Sequence, residues 1–431
     1  MRTLGRRLAA ATALLLVGTA AASAAGFQRG TADTDILFEP GMFSARFGMT
    51  YVSPERGFDT IEGVSGDYGQ YTGSYRLPSP AVKFGNGPLA CAGHYVESFA
   101  AEANYASLPG GAQPASSTGS AVRQLGFDSN EWGVTCRVSY EAEVGRFSLL
   151  GGVFFEDFNF EGTSLGSAVV GVTPAGIPGL PAGLAVRLPV SLSVDASSDY
   201  QTGFRVGIAY EKPEIALRAQ ILYRSEVTHE RPEGTGLATV NGSAFVINPI
   251  TGASIALPVS PVAPGTPVSS GEAFLNSVTS PQSLYVNVQT GIAEDTLLLG
   301  SFRWTDWSTN RNVLTSYVSA LGTSTNDSPY YWDDGYTVQL GLGRAFNDEI
   351  SGAVLIGYDS GVSTGAETTY TDLYSVSGGL SFKQSFGEIR VGGLVGYWTS
   401  GSQSVDRGAI FDATVGNDWV YAANASFKVN F

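Results

Sequence analysis

Trp419-Val420-Tyr421-Ala422-Ala423-Asn424-Ala425-Ser426-Phe427-Lys428-Val429-Asn430-Phe431 closes the chain. Every second residue from Trp419 to Phe431 is apolar, with aromatics at both ends of the run. The intervening set is more polar, with Asn424, Ser426, Lys428 and Asn430. Successive side chains of an extended strand point to opposite sides, so one face is greasy and aromatic-capped while the other is wet. That is the pattern of a membrane-spanning barrel strand, apolar toward lipid with aromatics at each interface and polar toward the lumen.

The alternation recurs. Phe43, Ala45, Phe47, Met49 and Tyr51 oppose Ser44, Arg46, Gly48 and Thr50, and Phe204, Val206, Ile208 and Tyr210 oppose Arg205, Gly207, Ala209 and Glu211. Fourteen such segments are expected, near 43–53, 78–85, 93–106, 131–142, 147–160, 199–211, 214–229, 281–292, 295–308, 335–346, 349–360, 372–383, 387–399 and 418–431. Every second connection is short, as in Lys212-Pro213, Ala293-Glu294 and Asn347-Asp348, and the others are long, above all 161–198 and 230–280. Short turns at one end and long loops at the other are the mark of an outer-membrane barrel, with both termini periplasmic when the strand number is even. The expected fold is therefore all-β, a 14-stranded antiparallel transmembrane barrel over 43–431. In it Arg46, Arg205, Arg218, Arg224 and Lys383 point inward, because an Arg on the lipid face at mid-depth costs roughly 2–4 kcal/mol.

The N-terminus reads as an export signal over 1–24: Arg2, Arg6 and Arg7, the apolar run Leu8 to Val17, and Ala22-Ser23-Ala24 as the cleavage site. The mature chain then starts Ala25-Gly26-Phe27-Gln28, and 25–42 is a short segment ahead of the first strand. The whole chain carries a formal charge of −15; without the three leader arginines 21 basic face 39 acidic side chains, a net of −18. Nucleic-acid binding, which needs a clustered basic surface, is not expected. Cys91 and Cys136, the two cysteines of an exported chain, are expected to form a structural disulfide. His94 and His229 have no metal-ligand spacing and no nucleophile motif beside them, so neither a metal, a cofactor nor a catalytic residue is assigned.

Several short stretches resemble the FadL-type family of outer-membrane transporters for long-chain fatty acids and other hydrophobic compounds. They are Ala25-Gly26-Phe27-Gln28, Tyr223-Arg224-Ser225-Glu226-Val227, Trp304-Thr305-Asp306-Trp307-Ser308 and Tyr358-Asp359, in that order on the loop pattern above. The resemblance implies capture of a hydrophobic ligand between two outer loops and transfer to a pocket closed by an N-terminal hatch. It then implies sideways exit at a kink of the third strand, down the ligand's own gradient. It also implies a monomer, set among outer-membrane lipid and lipopolysaccharide in a Gram-negative cell. Long-chain fatty acids are the family default, with an aromatic hydrocarbon transporter or a general diffusion porin as alternatives.

The two longest loops are apolar enough to form such a groove. Val169, Val170, Val172, Ile177 and Leu180 stand out in the first, Phe245, Val246, Ile247 and Ile250 in the second. Arg311 lies near the place where the family puts a basic partner for a carboxylate. Gly93 and Glu97 mark the expected lateral opening, since a charge at Glu97 is costly on a lipid face. Two departures stand beside these: the hatch is short, and Phe38-Glu39-Pro40-Gly41 occupies the place of the family's Asn-Pro-Ala motif.

Overall fold

A computed structural model of the chain describes residues 26–116, 119–174, 180–257, 260–319 and 322–431; the export signal and Ile177 lie outside them. Fourteen antiparallel strands close into a barrel. They are β1 (Phe43–Pro54), β2 (Tyr75–Pro78 and Ala81–Asn86), β3 (Leu89–Asn104), β4 (Ala121–Ala142), β5 (Gly145–Val172), β6 (Ala185–Lys212) and β7 (Leu217–Arg224). The second half is β8 (Ser283–Ala293), β9 (Thr296–Thr305), β10 (Gly335–Ala345), β11 (Ile350–Asp359), β12 (Leu373–Gln384), β13 (Gly387–Trp398) and β14 (Asp418–Asn430). Closure is made by β1 on β14, in register from Ser44 opposite Asn430 to Pro54 opposite Val420. Phe43 and Phe431 exchange backbone hydrogen bonds of 3.0 and 2.8 Å at the short-turn end. Closure gives the barrel strands neighbours on both sides for their backbone groups, as hydrocarbon requires, except along the outer part of the β2–β3 seam.

The distribution of side chains is inside-out. Phe47, Leu149, Phe204, Ile208, Leu340, Ile356 and Tyr421 are exposed, while Arg46, Arg205, Arg218, Arg224, Arg390 and Lys428 are buried in the lumen. A water-soluble protein buries the first set and exposes the second; here the apolar exterior is the lipid face.

β4, β5 and β6 run to 22, 28 and 28 residues, so most of the segment read as the 161–198 loop is strand. The β5–β6 ladder continues outward to Val172 opposite Ala185. Beyond the membrane the hairpin of Glu233–Val240 and Pro267–Leu275 lies against β6, and Asn312–Ser319 against Pro267–Leu275. These outer hairpins cover part of the barrel mouth.

Residues 26–41 run inside the lumen. Thr34 leads into one turn of 3₁₀ helix, Asp35–Phe38, whose Ile36 and Leu37 are fully buried against Ala81, Ala90, Ala92, Leu150, Ala209 and Leu222. The small alanines of β2 and β3 leave the room. Ion pairs fix the segment to the wall: Asp33 and Glu39 with Arg46 at 2.5 and 3.0 Å, Asp35 with Arg218 at 3.1 Å, Glu39 with Lys428 at 2.8 Å. Gly41 then turns the chain into β1 with φ +88°, where a Cβ would stand 2.8 Å from the Phe431 carbonyl oxygen. Removing one member of a buried ion pair costs about 3–5 kcal/mol because its partner stays buried and charged. Arg46→Ala, which strands Asp33 and leaves Glu39 with Lys428 alone, should therefore loosen this plug and raise ion conductance in planar bilayers from background to resolvable steps. Unchanged currents would mean that Ile36 and Leu37 hold the plug by packing alone.

Candidate functional site

Above the plug, toward the outer hairpins, an apolar cavity with an empty volume of about 1340 Å³ opens between the barrel mouth and the loops. Its floor is Phe27, held edge-on against Trp307 (5.4 Å between ring centres) and tilted on Trp332 (4.8 Å). Gly26 makes that seat possible: its φ is +68°, and a Cβ there would stand 2.6 Å from Trp307 Nε1. The walls are Phe99 and Phe127 near the floor, Phe158 and Phe160 on the β5 side, and Phe58, Tyr71, Tyr105 and Phe411 under the outer loops. Tyr330 stacks on Trp332 at 4.5 Å and extends the aromatic surface.

Polar side chains such as Gln113, Thr279, Asn310 and Gln403 interrupt the rings, and the half-buried acid, Glu367, is satisfied. Glu367 accepts hydrogen bonds from Trp332 Nε1 (3.1 Å), the Thr369 amide (2.5 Å) and Ser363 Oγ. Glu102, the other acid, is exposed. Among the described residues lining the cavity there is no Lys, Arg or His. Burial pushes the Tyr71 phenol up to about 12 and that of Tyr330 higher still, so both stay neutral. An ionised carboxylate entering this space would meet acids and rings, with no cation to offset its lost hydration.

Below the floor the chemistry inverts. A chamber of about 1120 Å³ is lined by Arg46, Arg205, Arg224 and Arg303 with Asp33, Asp35 and Glu131. Glu131 pairs with Arg205, with Arg224 (3.1 Å) and with His94 (3.2 Å); Glu156 pairs with Arg224 and accepts from Ser98 Oγ at 2.6 Å. An apolar molecule has no favourable route straight down the axis.

Sideways it does. The β2–β3 ladder runs from Asn86 opposite Leu89 to Ala81 opposite His94, and β2 is interrupted at Ser79-Pro80. Beyond that point the N-terminal segment takes the place of β2. Arg29 N–H donates to Ser98 O (2.9 Å) and Ala100 N–H to Phe27 O (3.1 Å), with Gln28 opposite Phe99. On its other side β3 carries a bulge against β4 between Glu97 and Phe99. Arg29 spans the gap, its Nε donating to Ala100 O (2.8 Å) and its guanidinium 3.2 Å from the Tyr75 ring centre. A cavity of about 610 Å³ lies here and shares Phe27, Ala101, Glu102 and Thr369 with the large one.

The residues singled out from sequence fall in three places. Val169, Val170 and Val172 are exposed on the β5–β6 hairpin, as are Ile247 and Ile250 on the second loop. Leu180 and Val246 pack with Val186, Leu188 and Val240 in a small core of the outer hairpins, and Phe245 pairs across to Arg187. Arg311 is exposed, its guanidinium 5.6 Å from the Tyr331 ring centre. None of these lines the large cavity. Glu97 sits at the β3 bulge, whereas Gly93 lies lower, fully paired with Val82 and Val134. Cys91 and Cys136 form a disulfide between directly opposed positions of β3 and β4, with Cα atoms 3.9 Å apart. The cavity's own residues carried partial signals: Phe27 and Trp307 belong to the quoted motifs, and Tyr330-Tyr331-Trp332 is an aromatic run in a loop.

His229, at the outer side, sits with its ring 5.6 Å from that of Phe158 and Nδ1 3.0 Å from Ser198 Oγ. Its Nε2 is buried without a partner, so no carboxylate orients the pair. Burial, with Arg224 nearby, pushes its pKa down to about 4. An unfolded imidazole takes up its proton near pH 6.5. Full stability of the outer hairpins is thus present above pH 6.5, and up to about 3 kcal/mol is lost as the pH falls toward 4. Hydrogen exchange over 227–240, corrected for intrinsic rates, should accelerate through that window in the wild type and not in His229→Gln.

No family model matches the sequence, and none of the curated proteins compared with it matches either. Solved structures do. A Pseudomonas aeruginosa FadL homologue aligns over 90% of both chains with a TM-score of 0.63 at 15% identity. The Pseudomonas putida toluene transporter TodX aligns over 97% of this chain and 99% of its own, with a TM-score of 0.61 at 14% identity. The monoaromatic hydrocarbon channel CymD aligns over 96% and 97%, also at 0.61 and 14%. At these identities the likeness is one of fold.

Proposed function

From a barrel with the FadL-type fold and a ring-lined cavity without a cation, we propose that this protein is a passive outer-membrane channel for neutral hydrophobic compounds. The carrying observation is the inventory of the large cavity: aromatic walls, no basic residue among the described residues, and its half-buried acid already bonded. That inventory favours small aromatic hydrocarbons, as the printed names of TodX and CymD have for those proteins, over long-chain fatty acids. A site without a cation binds by area removed from water, roughly 25 cal/mol per Å², and gains nothing from a carboxylate.

In this reading ligand first meets the exposed apolar residues of the outer hairpins, Val169, Val170, Val172, Ile247 and Ile250. It settles among the rings above Phe27 and leaves sideways where residues 27–30 now stand in for β2, with the bulge at Glu97 as the hinge. The charged chamber beneath turns it away from the axis. The short-turn end with the chain termini faces the periplasm, and the protein works as a monomer among lipid and lipopolysaccharide.

Uptake of labelled toluene and labelled oleate, into cells lacking their own transporters and with or without this protein, tests the reading. Toluene uptake should rise several-fold and oleate should not. Stimulation of oleate alone would return the protein to the fatty-acid branch. Failure with both, together with large open-channel currents, would make it a porin.

A further inference from the structure

The charged side chains on the wall of the large cavity are two acids. Glu367, half-buried, lines it from the outer loops, and Glu102, exposed, lines it where it meets the side cavity. The Glu367 carboxylate takes hydrogen bonds from Trp332 Nε1, the Thr369 amide and Ser363 Oγ, and all three donors are neutral. They orient its charge without cancelling it. The acids of the lower lumen differ: Asp33, Asp35, Glu39 and Glu131 each pair with an arginine. Two cations stand behind the cavity wall, and both are taken. Arg224, 5.0 Å from the Phe99 ring centre, pairs with Glu131 and Glu156, and Arg56 pairs with Asp418. Arg29 faces the side cavity, over Tyr75.

The face of an aromatic ring is the negative side of its quadrupole, and a cation over it is held more strongly where water is displaced. Here rings and carboxylate are contiguous. Trp332 is bonded to Glu367, Tyr330 stacks on Trp332, and Phe27 and Trp307 pack against it at 4.8 and 5.5 Å between ring centres. We propose that this cavity also binds hydrophobic organic cations, above all aromatic quaternary ammonium ions, with Glu367 and Glu102 as counter-charges. The proposal rests on the cavity being the transport pocket, and it goes beyond the neutral class assigned to that pocket above. A quaternary ammonium carries its charge behind methyl groups and donates no hydrogen bond, so a wall of rings suits it. The formal charge of −15 on the whole chain adds a field that draws cations toward the protein.

The test compares phenyltrimethylammonium with tert-butylbenzene, which have one shape and differ by one charge. Binding to the detergent-purified full barrel is followed by tryptophan fluorescence at a fixed detergent concentration, with Trp307 and Trp332 in the cavity wall as reporters. In the wild type the cation should bind saturably and raise the apparent Kd of tert-butylbenzene, as competition for one cavity requires. Glu102→Gln/Glu367→Gln should weaken the cation at least about tenfold and tert-butylbenzene less than about threefold, which also shows that the variant keeps its pocket. The single variants tell which carboxylate is the main counter-charge. A wild type that binds tert-butylbenzene and not the cation overturns the proposal. So does cation binding that leaves tert-butylbenzene undisturbed, or that survives the double variant at full strength. Binding of neither compound would instead bring down the transport-pocket reading on which this one rests.

Discussion

Oxidation of a Gln28→Cys/Phe99→Cys pair should abolish uptake of a hydrophobic substrate, and reduction should bring it back. Gln28 and Phe99 face each other across the join between the N-terminal segment and β3. The two hydrogen bonds, Arg29 N–H to Ser98 O and Ala100 N–H to Phe27 O, bracket the pair. That bracketing makes it a non-hydrogen-bonded antiparallel pair, with Cα atoms ordinarily about 4.5 Å apart. Such a separation lies within the range a disulfide can bridge. The bond would weld residues 27–30 into the gap that β2 leaves open, and in the proposed route this segment must leave for ligand to pass. An expected loss of tenfold or more is therefore specific to the oxidised state. Phe99→Cys alone, unable to cross-link, reports how much of any defect comes from the missing ring. Wild type under the same reductant accounts for the Cys91–Cys136 bond. Continued uptake by the fully oxidised pair would mean that ligand leaves by another door, and the sideways route would have to be given up.

The barrel was legible because its physics is periodic. Phe204-Arg205-Val206-Gly207-Ile208 alternates on a scale that any window detects, and the short turns fall where the alternation breaks. The extended β5–β6 hairpin was less legible. Thr163, Ser164 and Leu165, or Ser191, Leu192 and Ser193, suit a ladder, but their polarity contrast is too slight to show a strand by period. Tertiary pairing with Glu233–Val240 settles what the local sequence leaves open.

The cavity was legible only in pieces. Its walls come from segments as far apart as Phe27, Tyr71, Phe127, Trp307 and Phe411, and an aromatic near a strand end reads equally well as part of an interface belt. Hydropathy picked out Leu180 and Val246 for a ligand groove, and their apolar surroundings here are other loop side chains. Hydropathy measures the wish to leave water; it does not say for which neighbour. The gap between β2 and β3 left a trace in Pro80, which cannot donate to a ladder, and in Glu97. That residues 27–30 would supply the missing pairing depends on where the plug segment ends in space, and no local pattern encodes it.

Arg56→Ala should be the most damaging single substitution among the outer loops. Arg56 is fully buried, with its guanidinium 4.9 Å from the Trp398 ring centre. Its Nε donates to Thr368 O (3.3 Å), Nη1 to Thr399 O (3.2 Å), Gly416 O (3.3 Å) and Asp418 Oδ2 (3.0 Å), and Nη2 to Thr371 Oγ1 (2.5 Å). One side chain thus ties the loop after β1 to the loops on both sides of β12–β13 and to the start of β14. Its planar fork is what allows this; a lysine has one charged centre and cannot reach carbonyls in three directions. Truncation leaves several buried acceptors and one carboxylate without a donor, a loss of about 3–5 kcal/mol. The barrel itself should survive, since its ladders do not involve Arg56, so the heat-dependent gel shift of a folded barrel should persist. What fails is the roof: Thr368 and Tyr71 line the cavity, and both depend on the loops that Arg56 gathers. Toluene affinity should fall at least about tenfold, and the segment 360–372 should become open to proteases. Arg56→Lys should recover only part of either property. If Arg56→Ala left affinity intact while the loops were cut, the pocket would be made by the barrel and its N-terminal segment alone, and the roof would serve only as a cover.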